Sequence, residues 1–124
     1  MSENLEMIGK AYSGGPDFLL EALAHDVEWT AAAGFPYAGT FHGPAEVVKN
    51  VFVRLATEWE DFKPDLENLY DAGDTVVATG YYRGTYRRTG RAMEASFAHV
   101  FTVKKGKIVR FVQYVDSRKV WDAM

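Results

Sequence analysis

The chain has 124 residues, no cysteine, three histidines and a formal net charge of −3. That length suits a single domain over 1–124, and the absence of cysteine excludes disulfides, iron–sulfur clusters, thiolate zinc sites and cysteine nucleophiles. The mild acidity argues against a nucleic-acid partner. No apolar run approaches the roughly 18 residues that would suggest a membrane partner.

The opening Met1-Ser2-Glu3-Asn4-Leu5-Glu6 is acidic and lacks the basic and apolar segments of a signal peptide, so the expected location is cytoplasmic. Leu5, Ile8, Ala11 and Tyr12 fall on one face of a helix that Gly14-Gly15-Pro16 ends. Phe18, Leu19, Ala22 and Leu23 give a second short amphipathic helix, and Val27-Glu28-Trp29-Thr30 alternates as a strand does. Gly34 to Gly39 reads as a loop. Gly43-Pro44 starts a third helix whose stripe runs through Val47, Val48, Val51, Phe52, Leu55, Ala56 and Trp59.

After Pro64 the pattern turns to strands. Turn signals fall at Asp71-Ala72-Gly73-Asp74, Arg88-Thr89-Gly90-Arg91 and Lys104-Lys105-Gly106-Lys107. They separate long strands over 75–86, 93–103 and 108–115, and a short helix follows from Ser117. The fold class is α+β, a curved, mainly antiparallel sheet wrapped around N-terminal helices.

A two-residue turn at Thr89-Gly90 places His99 opposite Gly80 and Phe97 opposite Tyr82. Ala78, Gly80 and Gly84 then leave a roomy, concave sheet face. The last hairpin has two readings. A two-residue turn at Lys105-Gly106 turns Val112 and Tyr114 toward the His99 face. A three-residue loop with Gly106 left-handed turns Phe111 and Gln113 there, and the spacing favours this second form.

Several phrases carry a resemblance: Leu23-Ala24-His25-Asp26-Val27-Glu28-Trp29, Tyr37-Ala38-Gly39-Thr40-Phe41-His42-Gly43, Phe97-Ala98-His99-Val100-Phe101, and the ending Gly106-Lys107-Ile108-Val109-Arg110 through Tyr114-Val115-Asp116. Together they resemble the SnoaL-like branch of the nuclear transport factor 2-like superfamily over almost the whole chain. The resemblance implies a cone-shaped α+β fold with a pocket between the helices and the concave sheet. It also implies a homodimer packed through the sheets. The superfamily includes polyketide cyclases, ketosteroid isomerases, limonene epoxide hydrolases and non-catalytic binding modules, so fold does not settle function. The position matching the isomerases' catalytic aspartate is Ala31, and the hydrolases' arginine–aspartate pair is missing around Phe97-Ala98-His99. The cyclases' mid-sheet histidine and later aspartate find their nearest match in His99 and Asp116.

His99, between Phe97 and Phe101, is a candidate catalytic acid, base or hydrogen-bond donor, against the alternative of a satisfied core histidine. Asp116 is the candidate general base, against the alternative of a helix cap. Trp29, Tyr37, Phe41, Phe52, Tyr82, Phe97, Gln113 and Tyr114 are candidate substrate-binding residues. His25 and His42 read as exposed, Arg87, Arg88 and Arg91 as a solvated turn, and no spacing suggests a metal or cofactor. The expected partners are a small hydrophobic molecule and a second copy of the chain. The expected function is cofactor-independent proton transfer on a carbonyl compound by an isomerase or cyclase; the alternative is a non-catalytic binding or association module.

Overall fold

The computed structural model describes residues 2–124. Helix α1 (Glu3–Ser13) begins at Ser2, whose hydroxyl accepts from the Leu5 N–H at 3.0 Å. Glu3 and Glu6 sit in its first turn and Lys10 in its last, which suits the helix dipole. Pro16 lies in the first turn of α2 (Gly15–Ala22). Leu23, expected to end α2, instead opens β1 (Leu23–Ala31), where it pairs with Ile108. Strand β2 (Gly39–His42) folds back on β1.

The third amphipathic segment is three pieces: α3 (Pro44–Val47), a π-helical turn (Val48–Phe52) and α4 (Val53–Glu58). A π turn takes more residues than an α turn, so positions beyond it are displaced around the axis. Ala56 is exposed, and Trp59 leaves the helix altogether to begin β3 (Trp59–Ala72). Pro64 therefore lies inside a strand that was expected only after it. The strand tolerates it because β3 is an edge of the sheet and needs no donor on its outer side.

Strands β4 (Thr75–Tyr86), β5 (Ala92–Lys104) and β6 (Lys107–Val115) follow, then α5 (Ser117–Ala123). The open, curved sheet has the order β2-β1-β6-β5-β4-β3; β1 and β6 run parallel and every other neighbouring pair antiparallel.

The β4–β5 register differs from the expected one by two residues. His99 lies opposite Ala78, and Phe97 opposite Gly80. The turn is longer than two residues: the Tyr86 N–H donates to the Arg91 carbonyl at 3.0 Å, enclosing Arg87 to Gly90. A shift of two keeps every side chain on its face. The β5–β6 hairpin reaches the favoured outcome by another route. Lys105 (φ 52°) and Gly106 (φ 75°) form a two-residue turn with both residues left-handed, as a type I′ turn requires. An extra residue, Val109, then interrupts the ladder between the Val103–Ile108 and Thr102–Arg110 pairs. This bulge restores Phe111 and Gln113 to the His99 face, and Gln113 pairs with His99.

Two apolar clusters flank the concave face. One joins Ile8, Val27, Val47, Val76, Phe101, Val103 and Ile108. The other joins Phe35, Tyr37, Trp59, Tyr82, Met93, Phe97 and Val120. At Gly80 the Phe97 ring and the Asp65 backbone close over the missing side chain; an added Cβ would come within 2.9 Å of Phe97 Cζ and nearer still to the Asp65 carbonyl. Gly80→Ala is expected to lower stability by about 1–3 kcal/mol, the usual cost of overpacking, read as a fall in the urea midpoint.

Candidate functional site

The gap between the two clusters is a cavity of about 490 Å³, within the range of small-molecule sites. α1 and α2 contribute Ala11, Tyr12 and Leu19, the π turn and α4 contribute Val51, Phe52 and Leu55, and the sheet contributes Trp29, Ala31, Tyr82, His99, Phe101, Phe111 and Gln113. Asp61, Phe62, Lys63 and Arg87 also border it.

His99 is 5% exposed, yet both ring nitrogens are bonded. Tyr12 Oη lies 2.5 Å from Nδ1 and Tyr82 Oη 2.5 Å from Nε2. The chain of contacts continues. The Gln113 amide nitrogen donates to Tyr82 Oη at 2.8 Å, and the Ala32 N–H donates to Gln113 Oε1 at 3.0 Å. Phe97 stacks beside the imidazole with ring centroids 4.1 Å apart, and Phe111 meets it edge-on at 4.8 Å.

Burial without a charged partner pushes the His99 imidazole down to about 3, so it stays neutral through the physiological range. Burial likewise holds the Tyr12 and Tyr82 phenols well above their ordinary value; the Tyr82 charge adds to the rise at Tyr12, and the Gln113 hydrogen bond offsets part of the rise at Tyr82. An acid–base role for His99 near neutral pH does not fit this setting. A fixed neutral hydrogen-bonding role does.

The structure brings together Trp29, Phe52, Tyr82, His99 and Gln113 of the expected site residues. Tyr37, Phe41 and Phe97 pack elsewhere. The Tyr37 hydroxyl donates to Glu58 at 2.8 Å and accepts from the Trp59 indole at 2.9 Å. Phe41 pairs across from Trp29 and packs on the first cluster, while Phe97 lies behind His99. Tyr114 is a correction: the Val109 bulge turns it outward, and it is 59% exposed.

Asp116 is the larger correction. It is exposed, does not border the cavity, and follows β6 as the N-cap position of α5. Its backbone N–H donates to the Ser96 carbonyl at 3.0 Å, and its carboxylate makes no capping bond. Neither the base role nor the cap role is built there, because the strand reaches the sheet's end before this residue. Among the described residues, Asp61 is the only carboxylate bordering the cavity.

Tyr12 is the residue the sequence reading left in the core. A hydroxyl within an otherwise apolar helix stripe was its one signal. Arg87, read as solvated, is 51% exposed by its side chain but also reaches the cavity's edge. Among the described residues no group of three or more acidic or histidine side chains is placed to hold a metal ion, and no helix is long and apolar enough to cross a membrane.

The buried imidazole gives the fold a definite response to acid. Below pH 6.5 the unfolded chain binds a proton at this ring that the folded chain refuses, so stability falls as pH is lowered toward 3. The expected contribution is a slope of up to about 1.4 kcal/mol per pH unit. Urea midpoints measured between pH 6.5 and the carboxylate range should show this slope in the native chain and a flatter one in His99→Gln.

The comparisons agree with this fold. A SnoaL-like domain model matches residues 10–111. An NTF2-like protein from Burkholderia thailandensis E264 is 43% identical, with a TM-score of 0.94 over 100% of this chain and 98% of that one. TerC, co-crystallized with polyporic acid, is 26% identical, with a TM-score of 0.86 over 98% of each chain. A protein with a ketosteroid isomerase-like fold from Catenulispora acidiphila DSM 44928 is 18% identical, with a TM-score of 0.81 over 99% of this chain and 92% of that one, and shares the fold alone. No curated protein matches the chain. With its helices and mixed curved sheet in place, the chain belongs to the SnoaL-like domain family of the nuclear transport factor 2-like fold.

Proposed function

We propose that the cavity binds a small hydrophobic molecule carrying a polar oxygen, with the Tyr12–His99 unit as its principal polar contact. The observation that carries this reading is the pair of hydroxyls clamped to a neutral imidazole in a wall built mainly from aromatic and aliphatic side chains, with Gln113 beside them and Asp61, Lys63 and Arg87 at its border. Apolar area supplies affinity in such a site, and a few fixed polar atoms supply orientation. TerC, co-crystallized with polyporic acid, supports a small-molecule ligand.

A second reading keeps the isomerase- or cyclase-like chemistry. A carbonyl held by a hydrogen bond is polarised, and proton transfer then needs a base. Asp61 is the carboxylate that favours this reading. It borders the cavity and holds a left-handed backbone (φ 55°), the kind of strain that concentrates at functional positions. Asp116 no longer has that role.

The two readings part experimentally. A panel of aromatic ketones, quinones and polyketide-like compounds is screened for binding and turnover. Tyr12→Phe is expected to weaken an oxygen-bearing ligand by about 5–20-fold, the worth of one neutral hydrogen bond. Asp116→Asn is expected to change neither binding nor turnover. Asp61→Asn should leave affinity intact and abolish turnover if the site is catalytic; unchanged turnover removes the enzymatic reading.

A homodimer is part of the same proposal. The convex face carries Val77, Tyr81, Val100, Val112 and Tyr114, with the Arg83–Asp65 and Arg83–Glu94 ion pairs beside them. A sheet face of this composition calls for a cover, and a second copy supplies it. Light scattering at micromolar concentration is expected to give twice the chain mass, and a monomer mass refutes the assembly.

A further inference from the structure

We infer that Gln113 sets the hydrogen-bond polarity of the pocket, so that Tyr12 presents a proton and the ligand must present an acceptor. This rests on the ligand-binding reading above and names the class of ligand atom that site accepts.

The direction follows from groups whose roles cannot vary. The Ala32 backbone N–H can only donate, so the Gln113 atom facing it is the oxygen. The other end of the amide is then the NH₂ group, which can only donate, and it faces Tyr82 Oη. Tyr82 is buried, and its own proton needs an acceptor; among the described residues the only one beside it is His99 Nε2. A neutral imidazole that accepts at Nε2 carries its proton on Nδ1 and donates to Tyr12 Oη. The Tyr12 proton is left over. Among the described residues it meets no protein acceptor, and Tyr12 borders the cavity. All the donors therefore point one way, from the Ala32 amide to the cavity. Aligned bonds polarise one another, which makes the last hydroxyl a stronger donor than an isolated phenol.

A ligand oxygen at Tyr12 is consequently a carbonyl, phenolate or other acceptor. A group with only protons to offer meets a second donor and is rejected. Gln113 acts through Tyr82 and His99, so it is a positioning residue. Glutamate there reverses the chain once ionised. A carboxylate accepts from both the Ala32 N–H and Tyr82, so Tyr82 must accept from His99, and His99 must accept from Tyr12.

The test reads the imidazole directly. In ¹⁵N-labelled native protein, the His99 proton is expected on Nδ1, the less common tautomer of a free imidazole; a proton on Nε2 overturns the inference. In Gln113→Glu above about pH 9, past the range to which burial raises a glutamate, the proton is expected on Nε2. A tautomer unmoved while the ¹³C signal of the introduced side chain reports an ionised carboxylate overturns it too. Binding of 1,4-naphthoquinone, an acceptor-only probe, should fall about 5–20-fold in that variant at that pH, with naphthalene unchanged. Equal losses for both probes indicate a packing defect and overturn the polarity role. Failure of either probe to bind the native chain counts against the ligand reading, and the tautomer then decides the role of Gln113.

Discussion

The structure depends on one constraint: an imidazole buried without a charged partner must satisfy both nitrogens with neutral groups. His99 does so with hydroxyls from two different layers, Tyr12 of the helical layer and Tyr82 of the neighbouring strand. The bond to Tyr12 ties α1 to the middle of the sheet at a fixed height. Around it the aromatic rings of Phe97, Phe101 and Phe111 are set at defined angles. Between α1 and the strands the remaining volume is the cavity. An aliphatic residue at position 99 would take the imidazole from Tyr12 and leave Tyr82 with the Gln113 bond but no acceptor for its own proton, at a cost of about 1–3 kcal/mol for each buried polar group so orphaned.

Much of this was legible in the sequence, for local reasons. The helix stripes, the break at Gly14-Gly15-Pro16, the Pro44 start and the glycine turns each follow from short-range chemistry. The face of each strand was also legible, because the side-chain period of two survives a register error of two, as at His99 and Ala78. What was hidden depends on insertions that leave no composition signature. Val109 does not announce a bulge, and Val48 to Phe52 do not announce a π turn. The first decides whether Gln113 or Tyr114 faces inward; the second releases Trp59 to the sheet.

The site shows the same division. His99, Trp29, Tyr82 and Gln113 could be assigned to the cavity face because strand alternation places them, whereas Tyr12 was hidden because a tyrosine on an amphipathic helix is ordinarily packing. Asp116 was misjudged from its neighbourhood in the chain. Its position one residue beyond β6 made it look like a wall residue, but the strand ends at Val115 and the chain turns into α5. Whether a carboxylate is desolvated is a property of what packs on it, and this one is exposed.

The strand order has a consequence for how the chain assembles. β1 and β2 come from the first third of the sequence, yet β1 joins the rest of the sheet only through β6, from residues 107–115. Hairpins of β3, β4 and β5 can zip successively from local turns. The early ribbon has to wait as an unattached fragment until β6 arrives to lie parallel to it. Loop closure over about eighty residues is then the entropic bottleneck, as expected for a topology of high contact order. On the ribosome, the apolar faces of α1, α2 and β1 stay uncovered for most of synthesis, which is the interval in which this domain is most exposed to misassociation.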